Sequence, residues 1–181
     1  MAIVRTVALY LLILVTTTYV GLGVFQLFCP FDQHFDTQTY ATYWQIVDGY
    51  MGRRMSVFMP LWFLVMLLNL GIFANTWRQS PIVWMMLLSL GLLAADISFT
   101  LKAQLPINQF FRTHNVSHLT PAELPALETL RARTTQNFGK RGLGAAIMFF
   151  MLSTAPYLLP GLNKRRATLR PTPALCHHNP F

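Results

Sequence analysis

Four long stretches of the chain are almost free of charged residues. Residues 6–31, 55–77 and 142–163 contain no Asp, Glu, Lys or Arg, and residues 79–101 contain one, Asp96. A helix needs about 20 mostly apolar residues to cross about 30 Å of hydrocarbon, at about 1.5 Å per residue. Each stretch therefore predicts a transmembrane helix.

These stretches predict an all-α protein, a four-helix transmembrane bundle with two helical extramembrane loops. The membrane domain is assigned to residues 1–166 and a basic, proline-containing tail to residues 167–181. The spans are predicted at about 5–28, 55–76, 81–101 and 142–162. The first span also has features of a cleaved signal peptide, but its apolar run is longer and no small-x-small cleavage site follows it. We interpret it as a retained helix.

Composition supports the membrane interpretation. Only 11% of the 181 residues are charged and the mean hydropathy is +0.42, whereas soluble domains carry about 25% charged residues. An ordinary soluble enzyme, a disordered chain and a disulfide scaffold are thereby excluded. The net charge of +8 comes from basic residues beside the spans, where anionic lipid headgroups lie. The expected partner is the lipid bilayer and not a nucleic acid, because no nucleic-acid-binding motif occurs.

An even number of spans places both termini on one side of the membrane. The two sides carry six and eight Lys or Arg residues, but the six on the terminal side are packed into far fewer residues. The cluster at 164–166 directly follows a span, and such clusters remain in the cytoplasm. We therefore predict a multi-pass membrane protein with both termini cytoplasmic.

The first extramembrane loop contains a predicted amphipathic helix. Apolar and aromatic side chains recur there at three- and four-residue spacing, at Tyr40, Tyr43, Trp44, Val47, Tyr50 and Met51. Gln45 and Asp48 are predicted to lie off this face. The helix either lies on the membrane or caps the bundle, or it forms a lid over a binding site.

The second loop, residues 102–141, is longer than a connection needs. The sequence 120–123, Thr-Pro-Ala-Glu, is typical of a capping box and predicts a helix start there. Pro125 favours a start just after it instead. The helical spacing of apolar residues continues from there into the fourth span.

Polar residues inside the spans need a partner or a purpose. Tyr19 and Gln26 lie on one polar stripe of the first span. Asp96 lies near the loop end of the third span, at a depth that predicts an ion pair with Arg141 or with Lys102. These groups either hold the bundle together or line a pocket that opens toward the loops.

The sequence predicts no metal and no cofactor. His114 and His118 have helical spacing, but no third ligand is evident. No phosphate-binding glycine loop, CxxC, HExxH or GxSxG motif occurs.

Two short elements carry a family resemblance. Leu105-Pro106-Ile107-Asn108 follows the third span, and Asn137 precedes the basic pair Lys140-Arg141 at the last span. In these elements the chain resembles the anthrone oxygenase-like family of small four-helix membrane proteins, many of them uncharacterised. The family places arginine three residues after the asparagine, where Lys140 stands here, and Arg141 follows.

The resemblance implies oxygenation of a phenolic anthrone to an anthraquinone without metal or flavin, a monooxygenase reaction. Asp96 and Arg141 are the predicted catalytic residues, with Asp96 as base or as the group that orients the arginine. The predicted substrate-binding residues are Asn108, Asn137, Lys140, Gln26 and Tyr19. The alternative is a non-enzymatic membrane scaffold or an accessory subunit of a larger membrane complex. A hydrophobic small molecule, a second copy or other subunits are the partners left open.

Overall fold

Five α-helices make up almost all of the described chain. The computed structural model describes the backbone of residues 2–28, 34–76, 80–114, 116 and 119–168, and the side chains of these residues except 23–28 and 161–168. The helices are α1 Ala2–Phe28, α2 Thr37–Phe73, α3 Pro81–Phe99, α4 Leu105–Thr113 and α5 Leu124–Thr168. A 3-10 turn, Ala74–Thr76, extends α2, and a π-helical segment, Thr100–Gln104, joins α3 to α4.

Four helical segments are long and apolar enough to cross a membrane: one each in α1, α2 and α5, and the continuous helix that α3 forms with α4. Large apolar side chains such as Leu68, Trp84 and Phe150 are more than half exposed on the outside of these segments. Such an arrangement suits contact with lipid, because a bilayer does not penalise apolar surface. The protein is thus an all-α integral membrane bundle, as predicted.

Several helices continue well beyond the predicted spans. Helix α2 has 37 residues and α5 has 45, which correspond to about 55 and 67 Å against about 30 Å of hydrocarbon. The predicted span start near 55 and span end near 101 are therefore not helix ends. We call the part of α2 at 37–54, α4 and the part of α5 at 124–140 the extension.

The extension corrects the two predicted loops. The aromatic segment of the first loop is the N-terminal part of α2, so it is not a separate helix lying on the membrane. Asp36 caps it: its carboxylate accepts hydrogen bonds from the Thr39 N–H and hydroxyl, both at 2.8 Å, and these bonds hold the pKa of Asp36 below its usual value. In the second loop, Gln45 donates to the carbonyls of Phe111 and His114 at the end of α4.

The predicted capping box forms only in part. The Glu123 carboxylate accepts from the Thr120 N–H at 2.8 Å and from its hydroxyl at 2.7 Å, which lowers the pKa of Glu123. Residues 121–123 form a turn, and α5 begins at Leu124. The start predicted at 121 is wrong, because Pro125 is accommodated in the first turn of the helix, where its missing N–H costs nothing.

Two separate apolar cores lie along the molecule. The bundle core includes Leu12, Trp62, Met66, Met86, Leu93, Met148 and Leu152. The extension core includes Tyr40, Ala41, Trp44, Ile107, Phe111, Val116 and Leu127. Polar side chains from several helices meet within each of these two parts of the structure.

Candidate functional site

Tyr19, Asp96 and Arg141 meet between α1, α3 and α5, and we call them the span cluster. Arg141 Nε donates to Asp96 Oδ1 at 2.8 Å. Arg141 Nη2 donates to the Tyr19 hydroxyl at 2.6 Å, and that hydroxyl donates to Asp96 Oδ2 at 2.8 Å. Of the two ion pairs predicted for Asp96, the structure contains the one with Arg141, and Lys102 is exposed.

The span cluster is well shielded. The side chains of Arg141 and Asp96 are 15% and 8% exposed. The Trp62 ring lies 5.0 Å from the Tyr19 ring, and the Phe138 ring lies 5.6 Å from the Arg141 guanidinium. These aromatic walls reduce access of water and so strengthen the attraction between the two charges.

In the span cluster, the phenol of Tyr19 lies between a carboxylate, which can act as a base, and a positively charged guanidinium. The Tyr19 hydroxyl directs its proton at a carboxylate and accepts from a guanidinium. A carboxylate in that place can take a phenolic proton, and a guanidinium can stabilise the phenolate that forms. The pair Asp96–Arg141 therefore has the geometry for recognising a phenolic group.

A second set of polar side chains meets where the π-helical segment adjoins the extension, and we call it the extension network: Asp48, Gln104, Asn108, Arg112 and Asn137. Asp48 Oδ2 accepts from Arg112 Nε, and Asp48 Oδ1 accepts from Asn108 Nδ2 at 2.7 Å. Asn108 Oδ1 accepts from Gln104 Nε2 at 2.8 Å, and Gln104 Oε1 accepts from Asn137 Nδ2 at 3.1 Å. The chain of bonds thus joins α2, α4 and α5.

The π-helical segment contributes to this alignment. Asp96, Thr100, Gln104, Asn108 and Arg112 follow one another at four-residue intervals. Because an α-helix has about 3.6 residues per turn, that spacing drifts by about 40° at each step. A π turn is wider and rotates the following residues the other way. The segment at 100–104, with its bond from the Leu105 N–H to the Thr100 carbonyl, therefore keeps the later side chains facing α2 and α5.

Five of the seven predicted site residues divide between these two sets. Tyr19 lies in the span cluster with the two predicted catalytic residues, while Asn108 and Asn137 lie in the extension network, connected through Gln104. Lys140 is exposed and lies in neither set. Gln26 is within α1, but its side chain lies outside the described residues.

Sequence reasoning missed Asp48, Gln104 and Arg112. Asp48 was predicted to lie off the buried face of its helix, and that prediction is wrong: its side chain is 6% exposed, whereas Tyr50 is 64% exposed. The four-residue spacing of polar side chains beyond Asp96 was a usable signal. It crosses the predicted end of the third span, where a helix was not expected to continue.

Two of the open grooves on the described surface are formed largely by the N-terminal part of α2. One, of about 400 Å³, is lined by Gly49, Gly52, Arg53, Ser56 and Arg112. The other, of about 480 Å³, is lined by Phe35, Asp36, Gln38, Thr39, Thr42, Tyr43 and Ile46. Neither of these two grooves is lined by a residue of the span cluster.

Known proteins add no assignment to this geometry. Within the described residues, no group of three or more His, Cys, Asp or Glu side chains is placed to hold a metal ion. Comparison of the chain with protein-family models, with curated proteins and with solved structures found no match. The resemblance to the anthrone oxygenase-like family therefore stays a prediction.

Proposed function

We propose that this integral membrane protein binds a hydrophobic phenolic molecule at the span cluster and oxygenates it without a cofactor, with an anthrone as the substrate class. One observation supports this proposal above others: Asp96 and Arg141 already hold a phenol, that of Tyr19. Ionisable residues inside membrane spans are costly and tend to serve a function.

In the proposed reaction, the substrate phenol takes the place of the Tyr19 hydroxyl. The anthrone reacts as its enol tautomer, in which one methylene hydrogen has moved to the ring ketone and turned it into a phenolic hydroxyl. Asp96 accepts the proton of that hydroxyl and Arg141 stabilises the phenolate that forms, whose charge is delocalised onto the former methylene carbon. That carbon gives electrons to dioxygen and forms a C–O bond, and loss of water leaves a carbonyl. The balance is one methylene and one dioxygen to one carbonyl and one water, with the proton returned from Asp96.

Tyr19 acts in this scheme as an internal occupant that a substrate displaces. Because the substrate is apolar and aromatic, it partitions into the bilayer and reaches the span cluster from the lipid side. Asn108 and Asn137 have positioning roles, since both are committed to the extension network and hold α4 and α5 in register.

The test is turnover of a dihydroxyanthrone by the detergent-purified protein, followed by oxygen uptake and quinone absorbance. Asp96→Asn and Arg141→Ala are expected to lower turnover about 100-fold or more, in the range of lost acid–base and electrostatic catalysis. Tyr19→Phe is expected to lower KM, because the competing hydroxyl is gone. Ser98→Ala, an exposed position on the same helix as Asp96, is the control and retains full turnover. Full turnover in folded Arg141→Ala would refute the assignment.

The second candidate is a non-enzymatic scaffold or accessory subunit. It is favoured by the mutual hydrogen bonding within the span cluster and by grooves that open elsewhere. Native mass spectrometry of the purified protein separates the two. A retained aromatic compound supports the enzyme, and a stoichiometric protein subunit without a ligand supports the scaffold.

A further inference from the structure

The groove of about 400 Å³ beside α2 is basic. Its lining includes two guanidinium groups, those of Arg53 and Arg112, and no carboxylate. Gly49 and Gly52 leave its wall without side chains. The Ser56 hydroxyl donates to the Arg53 carbonyl at 2.7 Å, so the two arginines are the main donors for a ligand.

Arg112 is held in place on one side of this groove. Its Nε is engaged by Asp48, while the side chain remains 46% exposed. A Cβ placed on Gly52 would lie 2.9 Å from Arg112 Nη2. The absence of a side chain at Gly52 therefore lets the guanidinium lie against the backbone of α2. Its Nη groups can still donate hydrogen bonds to an anion.

The groove lies at the boundary between the extension and the spans. Just beyond it, on the side of the spans, Val57 of α2 is 70% exposed and Leu143 of α5 is 65% exposed. Exposed basic side chains lie near the same boundary between the extension and the spans: Arg53, Arg54, Lys102 and Lys140.

Among the acids of the described chain, Asp48 lies at this boundary and pairs with Arg112, which leaves the other boundary cations, Arg53, Arg54, Lys102 and Lys140, in excess. Asp36, Glu123 and Glu128 lie toward the far end of the extension, and Asp96 is paired within the bundle. A net positive boundary next to lipid-facing surface is the arrangement that attracts anionic headgroups.

We propose that this groove binds the phosphate of an anionic phospholipid, with Arg53 and Arg112 as the ligands. Guanidinium groups suit phosphate because they donate two parallel hydrogen bonds in addition to their charge. The acyl chains would lie along the exposed apolar side chains of the span part of α2, such as Val57, Leu61 and Leu64. This site is separate from the span cluster, so the proposal does not depend on the oxygenase function.

The test is retention of phosphatidylglycerol against phosphatidylcholine by native mass spectrometry of the whole protein. Wild type is expected to retain the anionic lipid preferentially. Arg53→Ala, an exposed position that leaves the fold intact, is expected to lower that retention about 20-fold, because a bidentate contact is lost as well as a charge. Gly52→Ala displaces the Arg112 head without removing any charge and is expected to lower retention about fivefold or more.

Two controls make the outcome decisive. Lys102→Ala removes a boundary cation outside the groove, and its effect is expected to stay within about fivefold, the contribution of one cation near an anionic surface. Gly139→Ala adds a methyl group where nothing lies within 4 Å and is expected to change nothing. Equal losses in Arg53→Ala and Lys102→Ala would overturn the proposal in favour of unspecific attraction. Displacement of the lipid by millimolar inorganic phosphate would overturn it in favour of a soluble anion.

Discussion

The molecule contains two Asp–Arg pairs in two different surroundings. In the span cluster, Arg141 and Asp96 are 15% and 8% exposed. In the extension network, Asp48 is equally buried at 6%, but Arg112 is 46% exposed. Each carboxylate also accepts one neutral donor, the Tyr19 hydroxyl in the first pair and the Asn108 amide in the second.

The two pairs differ in how much hydration their charged side chains keep. Arg112 keeps almost half of its surface available to solvent or headgroups, so its hydration is partly retained. Arg141 and Asp96 have exchanged nearly all of their hydration for each other and for Tyr19. Because breaking a buried pair leaves an uncompensated charge, the span cluster should be far less tolerant of single changes than the extension network.

Arg141→Ala tests the more sensitive pair and should have the largest effect. It leaves Asp96 buried beside a neutral phenol, and we expect a loss of about 3–5 kcal/mol in the free energy of unfolding. Denaturant unfolding in detergent micelles, followed by tryptophan fluorescence, measures it.

The double variant Asp96→Leu/Arg141→Met is the control for this prediction. Replacing both charges by apolar groups removes the desolvation cost as well as the attraction, so most of the lost stability should return. If the double variant is as unstable as Arg141→Ala, the pair holds the bundle by its specific geometry and not by charge compensation.

Arg112→Ala should have a smaller effect, about 1–2 kcal/mol, by the same measurement. Asp48 keeps its bond from Asn108, and the space left by a half-exposed side chain can be filled by water. If Arg112→Ala lowers the free energy of unfolding as much as Arg141→Ala does, the burial of the aspartate alone determines the destabilisation, and the exposure of the arginine does not matter.

Sequence predicted the span part of the molecule well, for a physical reason. A bilayer demands about 20 apolar residues per crossing, so the stretches without charged residues at 55–77 and 142–163 fix two of the spans. The same arithmetic of 1.5 Å per residue placed Asp96 and Arg141 at one depth and predicted an ion pair of Asp96 with Arg141 or with Lys102, of which the structure contains the first.

The extension was predicted poorly because no such constraint acts there. A helix in water ends where caps and packing decide, so the continuation of α3 into α4 was not visible, and nothing in the sequence marks 100–104 as π-helical. In α2, aromatic residues lie both on the buried face, at Trp44, and on the exposed side, at Tyr50. The positions of aromatic residues therefore did not identify the buried face of α2, and Asp48 was wrongly predicted to lie off it.

Thr100→Val tests whether the two polar sets are independent, and its expected effect is the smallest. Thr100 lies one turn from both Asp96 and Gln104, and its Oγ1 is buried without a hydrogen-bond partner. Valine has the same branched shape and removes an unsatisfied polar atom, so stability should stay the same or rise by up to about 1 kcal/mol. Thr16→Val is the matched control, since the Thr16 hydroxyl accepts from Trp62 and donates to Leu12, and its loss should cost about 1 kcal/mol.

If Thr100→Val is as destabilising as Thr16→Val, the Thr100 hydroxyl connects the span cluster with the extension network. The losses from Arg141→Ala and Arg112→Ala would then fail to add, whereas independent sets should add to within about 0.5 kcal/mol.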